Sequence, residues 1–432
     1  MIARLPLLTL ILAGACLPIS LDKDHPLESY ANGAHGFPTA LVAAGKQVCA
    51  YLESENRAMV CWGDDGDREG DQIYPQHIGG AAELLERHSF VSNGVNYCAL
   101  DSAGRAHCGG SDSRFLGPRF VPDTMHGPSH VQTEQTFKRL ALVRSDDGSS
   151  IGCGIPNHDG HDPSKDLFCW GGDIRQIFPS NTEISDEGIV DLRGLGTLNG
   201  ENIRVDFQNI LKLKLSAKVG CITDPRDQLW CWGPPSFFGQ ASEEAIVGPF
   251  QIPTPSDRGV NSLALHGENL CVGLIPLEND DPFGSVWCMG VNQYGQAGIN
   301  ITEQQTALVE VQSLQSGFYE LQMGAGQVCA RLQDPNQPNQ IWCWGRNDRG
   351  QLGNGTDKTI FTPTPIEFVN RMPPNSGFDI QQIVLGDDFG CWRALGSGLV
   401  HCWGANDQGQ LGQPDLAEAL EPTLVQLHYR FR

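Results

Sequence analysis

Fourteen of the fifteen cysteines fall into seven close pairs: Cys49 with Cys61, Cys98 with Cys108, Cys153 with Cys169, Cys221 with Cys231, Cys271 with Cys288, Cys329 with Cys343 and Cys391 with Cys402. The second members advance by 47, 61, 62, 57, 55 and 59 residues, so one unit is repeated along the chain. Spacing of this kind marks repeat architectures, whose units bury their apolar faces against one another. Each pair brackets a hairpin. In Cys98-Ala99-Leu100, then Asp101-Ser102-Ala103-Gly104, then Arg105-Ala106-His107-Cys108, the glycine supplies the positive φ of a short turn. Directly opposed residues of antiparallel strands lie about 4.5 to 5.5 Å apart at Cα, within reach of a disulfide. One bridge per repeat is therefore expected, each contributing roughly 2 to 3 kcal/mol in the chain-entropy model. Zinc is the competing reading, but C-x₂₋₄-C knuckles and histidine partners at fixed spacing are missing.

A short apolar run precedes each first cysteine, as in Leu41-Val42-Ala43-Ala44-Gly45 and Ile383-Val384-Leu385-Gly386, and reads as a buried strand. Trp-Gly or a relative follows each second cysteine: Trp62, Gly109, Trp170, Trp232, Met289, Trp344 and Trp403. The ring is expected to pack between neighbouring units. A fourth element is marked by proline in Tyr74-Pro75, Phe178-Pro179, Gly248-Pro249, Thr362-Pro363 and Glu421-Pro422, and proline belongs on edge strands. Four strands per repeat is propeller stoichiometry, so the class is all-β. Gly194 to Asn209 is the longest candidate insertion.

The 432 residues carry 51 Gly and 27 Pro, which suits short strands joined by turns. A formal net charge of −22 repels phosphate backbones and excludes nucleic acid as a partner. Met1 to Arg4 is positively charged, Leu5 to Leu12 apolar and Ala13-Gly14-Ala15 small, which is signal-peptide grammar. Cys16, the unpaired cysteine, follows at once. The segment resembles a bacterial lipoprotein signal in which that cysteine is lipidated; plain secretion is the alternative. The expected organisation is a signal peptide over 1–15, a lipidated cysteine and flexible tether over 16–37, and a seven-repeat β-propeller over 38–432. Localisation is then the bacterial outer membrane or cell surface, or alternatively the periplasm or medium.

The clearest repeats read Cys343-Trp344-Gly345-Arg346-Asn347-Asp348-Arg349-Gly350-Gln351-Leu352-Gly353 and Cys402-Trp403-Gly404-Ala405-Asn406-Asp407-Gln408-Gly409-Gln410-Leu411-Gly412. Asn292 to Gly298 is a fair copy, whereas Arg68-Glu69-Gly70, Phe115-Leu116-Gly117 and Gln176-Ile177-Phe178 are degenerate ones. This succession resembles the regulator of chromosome condensation repeat. The resemblance implies a seven-bladed β-propeller of four-stranded antiparallel blades, in which the repeat motif is structural rather than catalytic.

The function expected from the resemblance is noncatalytic protein binding through loops on one face, with no cofactor, a protein partner, the membrane met by the lipid anchor alone, and a monomeric chain. The alternatives are the guanine-nucleotide exchange of the family's nuclear members and enzyme inhibition of the β-lactamase-inhibitor type. Export and the acidic charge oppose exchange. The family's plant ultraviolet receptor uses Gly-Trp-Arg-His-Thr, which Cys391-Trp392-Arg393-Ala394 does not match.

Length between paired cysteines nominates a binding rim. Nine residues lie between them in the second and fourth repeats, against 15, 16 and 13 in the third, fifth and sixth. Long loops on a rigid scaffold commonly carry binding. The candidate segments are Pro156 to Lys165, Pro276 to Ser285 and Asp334 to Gln340, with His158, Asp159, His161, Asp162, Asp280, Asp281, Phe283, Asp334, Asn336 and Asn339 as partner-binding residues. His158 to Asp162 carries metal-ligand side chains, but its composition is also that of a long turn. The chain has no Gly-x-Ser-x-Gly elbow, Walker loop or His-Glu-x-x-His motif. The last strand, Thr423 to Phe431, is expected to close the ring beside Leu41 to Gly45, either by completing the last blade or by crossing into the first.

Overall fold

The computed structural model describes residues 37–53, 58–64, 72–78, 89–110, 115, 129–130, 135–157, 167–186, 188–192, 197–198, 201–202, 210–277, 284–314, 318–334, 337–366, 380–395, 397–413 and 415–425. Cys16, the signal region and the tether up to residue 36 lie outside them. So do His158, Asp159, His161, Asp162, Asp280, Asp281, Phe283 and Asn336.

Seven antiparallel sheets form the blades of a propeller. Blade 1 is Phe37–Ala44, Gln47–Glu53, Ala58–Gly63 and Gln72–Ile78, ordered from the axis outwards. Blade 2 is Val91–Ser92, Asn96–Leu100, Ala106–Gly110 and Ser129–His130. Blade 3 begins with Phe137–Arg144, Ser150–Pro156 and Leu167–Gly171, and blade 4 with Lys212–Leu215, Gly220–Thr223, Leu229–Gly233 and Val247–Ile252. Blade 5 is Arg258–His266, Asn269–Pro276, Ser285–Gly290 and Gln305–Glu310. Blade 6 is Phe318–Met323, Gln327–Asp334, Gln337–Gly345 and Ile360–Pro365, and blade 7 is Ile380–Leu385, Phe389–Ala394, Val400–Ala405 and Glu418–Leu424.

Two blades depart from four strands. In blade 3 the proline-marked Phe178-Pro179 is not a strand, because the short 3-10 helix Ile174–Ile177 leads into it. The outer edge is built instead by Ile189–Asp191 and then Glu183–Ile184. Blade 4 has six strands, since the insertion expected at Gly194 to Asn209 contributes Thr197–Leu198 and Glu201–Asn202. Thr197–Leu198 runs parallel to the outer strand and covers its edge.

All seven disulfides form between sequence neighbours, one per blade. Cys49 bonds Cys61 in blade 1, Cys98 bonds Cys108 in blade 2 and Cys153 bonds Cys169 in blade 3. Cys221 bonds Cys231 in blade 4, and Cys271 bonds Cys288 in blade 5. Cys329 bonds Cys343 in blade 6, and Cys391 bonds Cys402 in blade 7. The two cysteines face each other across the second and third strands, with Cα atoms 4.0 to 4.2 Å apart. That is closer than the expected 4.5 Å, the usual spacing of a non-hydrogen-bonded pair.

The core is divided among the seams between blades. Ile151, Leu167, Val190, Ile222 and Trp232 fill the seam of blades 3 and 4. Leu321, Val328 and Trp344 meet Val286 and Val311 at that of blades 5 and 6. Blades 7 and 1 are joined in the same way by Val384, Phe389, Val400, Leu411, Leu41, Val48 and Trp62. The ring therefore closes by apposition of complete blades. Glu418–Leu424 is the outer strand of blade 7 and does not cross into blade 1, which settles the closing strand as far as Val425.

Tryptophan secures the seams by hydrogen bonding as well as packing. The indole Nε1 of Trp344, Trp403 and Trp62 donates to the backbone oxygen of Gln296, Gln351 and Gln410 in the preceding blade, at 2.8, 2.9 and 2.9 Å. Trp232 donates to Ile177 O, so the degenerate Gln176-Ile177-Phe178 keeps the acceptor although the glutamine is displaced. Blade 2 lacks the tryptophan, and Tyr97 on the second strand faces Gly109 in its place. A Cβ on Gly109 would overlap the Tyr97 ring, so the aromatic bulk has moved to the opposite strand.

Candidate functional site: the hairpin face

The strand order gives the ring two unlike faces. One, the turn face, carries the turns between first and second strands and the connections from third to outer strand. The other, the hairpin face, carries the hairpins between paired cysteines.

On the turn face the polar side chains of the repeat motif bind one another. Asn347 is fully buried; its Oδ1 accepts from Leu352 N at 2.9 Å while Nδ2 donates to the Thr356 and Lys358 carbonyls. Asn292 and Asn406 repeat the arrangement with Ala297 N and Leu411 N. Gln351 Oε1 accepts from Arg349 N and its Nε2 donates to Asp348, as Gln410 does with Gln408 N and Asp407. The wide loop is thus fastened from inside, as buried polar groups require. Charged side chains are also spent on neighbours. Lys46 reaches Asp407 across the closing seam at 2.7 Å, and this hydrogen bond holds its ammonium above the usual range. Arg346 joins Asp348 at 2.7 Å and Asp388 of the next blade at 3.1 Å. Burial pushes the Asp388 carboxyl up even so. Lys218 pairs with Glu268 and His266 with Asp387. A cleft of about 330 Å³ on this face, between blades 3 and 4, has Phe178 and Ile246 in its wall and Ser180 bonded to Glu244 at its rim.

The hairpin face is different. Of six large apolar side chains that stand exposed among the described residues, Leu211, Ile275, Leu277 and Leu395 are on this face; Ile301 and Leu416 are on the other. Leu277, 56% exposed, and Ile275 sit at the foot of the long fifth hairpin. Leu211 immediately precedes the inner strand of blade 4, next to Lys212, which pairs with Asp227 at 3.6 Å. A Cβ on Gly259 would touch both Asp227 and Leu277, so these residues border one seam. Short hairpins are instead rigidly tied. Asp101, almost wholly buried, accepts from Ala103 N, Arg105 N, Arg105 Nε and His107 Nε2 at 2.7 to 3.1 Å. Burial raises its carboxyl, but these bonds outweigh that and lower it to about 2.

Of the rim expected from sequence, the structure describes Asp334 and Asn339 only as strand positions. The second strand of blade 6 runs to Asp334 and the third starts at Gln337, with Asp334 facing Gln337. Extra length in that repeat extends the ladder rather than forming a free loop. Leu211, Ile275, Leu277 and Leu395 went unnoticed in the sequence, where Leu274-Ile275-Pro276-Leu277 already placed apolar residues in a hairpin arm. Among the described residues no three His, Cys, Asp or Glu side chains gather as metal ligands would.

The family profile described as Regulator of chromosome condensation (RCC1) repeat matches residues 339–392 and 397–431. Those two segments are similar to the regulator of chromosome condensation repeat. The first of them runs from the third strand of blade 6 into the second strand of blade 7, so the repeat frame is offset from the blade. Over 145 residues, 33% of this chain, the sequence is 30% identical to the ultraviolet-B receptor UVR8 of Arabidopsis thaliana. Over 215 residues, 48% of the chain, it is 28% identical to the human E3 ubiquitin-protein ligase HERC2. The matched segments are 31% and 4% of those proteins' lengths. Among solved structures, human WBSCR16 superposes with a TM-score of 0.58 over 84% of this chain and 89% of that one, at 13% identity. Prp20p of Saccharomyces cerevisiae, described with its binding to Gsp1p and histones, gives 0.57 over 93% and 89%, at 15% identity. At such identities the shared property is the repeat propeller itself.

Proposed function

We propose that the chain is a noncatalytic, protein-binding propeller of the bacterial cell envelope that meets its partner through the hairpin face. The observation carrying this reading is the uneven distribution of unspent surface. On the turn face Lys46, Lys218 and Arg346 are paired within and between blades, whereas four of the six exposed large apolar side chains among the described residues, Leu211, Ile275, Leu277 and Leu395, lie on the face with the longest hairpins. Exposed apolar side chains rimmed by polar ones are what a docking surface offers. Binding of Gsp1p and histones by Prp20p supports a protein partner for a propeller of this shape. Seven disulfides need an oxidising compartment, which supports export. In this reading Cys16 carries the lipid and the segment to Phe37 tethers a monomeric propeller at the outer membrane or cell surface.

Affinity capture from the producing cell's envelope tests the reading. Leu277→Asp combined with Leu211→Asp should lose a partner that the unaltered protein and the turn-face variant Gln293→Ala both retain. Loss in Gln293→Ala with retention in the leucine variant would move the interface to the turn face. A Cys16→Ser variant should leave the membrane fraction; if it stays, the anchor is not that cysteine.

A further inference from the structure

At three seams a side chain of one blade closes over a glycine of the blade before it. Gly290 faces Gln305, Gly345 faces Ile360 and Gly404 faces Ala419 on the outer strands. The next residue along each outer strand is Thr306, Phe361 or Leu420. These lie against Gly239, Gly295 and Gly350 of the preceding blade, so closely that a Cβ on the glycine would stand 2.4 to 3.1 Å from them.

At the seam of blades 3 and 4 that contact is missing from both sides. Gly233 faces Val247, so the next residue is Gly248, which has no side chain to offer. Its φ is 105°, and a Cβ would meet the backbone of Cys231, Trp232 and Phe250 in its own sheet, so the position stays glycine. On blade 3, Gln176 stands five residues beyond the glycine of Trp170-Gly171, the place of Gly295 and Gly350 in their repeats. Its amide donates to Asp147 at 3.4 Å. What remains is the cleft of about 330 Å³, within the roughly 300 to 1,000 Å³ of small-molecule sites.

The apolar wall of this cleft is fixed in advance. Phe178 is buried and stacks on Trp232 with ring centroids 5.3 Å apart, Ile246 is buried, and Ala217 and Ala245 complete the wall. Arg175, Asp146 and Glu244 line the same cavity. Arg175 is held through its backbone N–H, which donates to Asp173 at 3.2 Å, and its guanidinium has no partner among the described residues. The Asp146 carboxylate has none there either. Glu244 accepts from Ser180 Oγ at 2.6 Å through one oxygen, and the carboxylate keeps further acceptor capacity. Lys46, Lys218 and Arg346 of the same face, by contrast, all have partners.

We propose that this cleft binds a free α-amino acid with an aliphatic or aromatic side chain. The side chain takes the space that Phe361 and Leu420 fill at other seams. The α-carboxylate meets the Arg175 guanidinium, whose fork matches a carboxylate, and the α-ammonium meets Asp146 and Glu244. A cation and two anions around an apolar wall complement a zwitterion of this kind, whereas a residue inside a peptide has neither end charge. The site is on the turn face, separate from the surface offered to a protein partner, so the two readings stand or fall independently.

Titration calorimetry of the full chain with L-phenylalanine and, separately, L-leucine tests this. Binding of at least one of them at a single site per chain is expected. N-acetyl-L-phenylalaninamide, which keeps the ring and lacks both charges, should bind about tenfold more weakly or worse. Arg175→Gln and Asp146→Asn should each weaken binding by about tenfold, the effect of losing one charge-assisted bond. Ala245→Trp, at an exposed position whose new ring would fill the cleft, should abolish it, while Arg226→Gln on the hairpin face should leave it unchanged. No heat with either amino acid overturns the proposal, as does unchanged affinity in Ala245→Trp, checked as folded by its nonreducing thermal transition. Unchanged affinity in both charge variants rejects a zwitterion as the ligand. Equal binding of the neutral amide does the same and makes the occupant a peptide segment instead.

Discussion

Blade seams depend on which single residue supplies aromatic bulk and which leaves room for it. Trp170, Trp232 and Trp403 face Gly152, Gly220 and Gly390, where a Cβ would overlap the indole, whereas blade 2 has Tyr97 facing Gly109. Gly109→Trp alone should overpack the seam and cost about 1 to 3 kcal/mol. Adding Tyr97→Gly, which restores the arrangement of blades 3, 4 and 7, should recover most of that loss. Urea unfolding of the cycle measures the coupling, and additive losses would show that the two positions do not share one space. His401 supplies a pH response. It stacks on Trp392 with ring centroids 4.3 Å apart, and burial lowers its imidazole to about 4 from 6.5. Because the folded value lies below the unfolded one, the unfolded chain binds the extra proton as pH falls from 6.5 to 4. Stability should drop through that window by up to about 3 kcal/mol. His401→Phe should flatten the profile; a profile that keeps its slope would assign the titration to another group.

Within each blade the legible and the illegible parts of the sequence divide along a physical line. The cysteine hairpins could be read because a disulfide demands opposed Cβ atoms, and every one of the seven registers follows from it. Cys61, Cys169, Cys231 and Cys288 stand opposite Cys49, Cys153, Cys221 and Cys271 although 11, 15, 9 and 16 residues separate them, so loop length does not disturb the pairing. Strand and turn alternate around them with the expected glycines, as at Gly104 with φ 79°. The outer strands were harder, because an edge strand is held by few contacts. Phe178-Pro179 has the proline signature but stacks on Trp232 from outside the sheet, with ring centroids 5.3 Å apart. The exposed apolar side chains were missed for a related reason: composition marks polar insertions, whereas exposure of Leu211 and Leu277 is decided by which blade end they occupy. The glutamine of the repeat accepts a hydrogen bond from a backbone N–H, but asparagine ties more of the loop. Asn347→Ala should therefore cost about 2 to 3 kcal/mol by leaving Leu352 N and two carbonyls unpaired. Asp348→Ala in the same loop, half exposed, should cost under about 1 kcal/mol. Comparable losses from the two, measured by urea unfolding, would remove asparagine from its place as the loop's fastener.

For the whole ring the decisive question is whether the closing seam is as sound as the others, since no strand among the described residues crosses it. Blade 1 is built wholly from the N-terminal side and blade 7 from the C-terminal side. Two devices join them. Gln382 donates to Leu41 O at 2.7 Å and accepts from Leu41 N at 2.8 Å, satisfying both free edge groups of that residue with one amide. Glu320 does half of this for Ile383 one blade earlier, so the clasp belongs to a series and is not peculiar to the closure. Trp62 then repeats across the closure the indole bond that Trp344 makes within the chain, 2.9 against 2.8 Å. A propeller closed in this way should respond to damage at the closing seam as it does at an internal one. Trp62→Phe and Trp344→Phe each remove one buried donor and part of a ring, and each should destabilise by about 1 to 3 kcal/mol. Gln382→Leu should in addition raise amide exchange at Leu41 and along Phe37–Ala44 while leaving Lys212–Leu215, on the far side of the ring, protected. Should Trp62→Phe leave the unfolding midpoint untouched while Trp344→Phe lowers it, blades 7 and 1 are apart in solution and the molecule is an open array with two exposed edges.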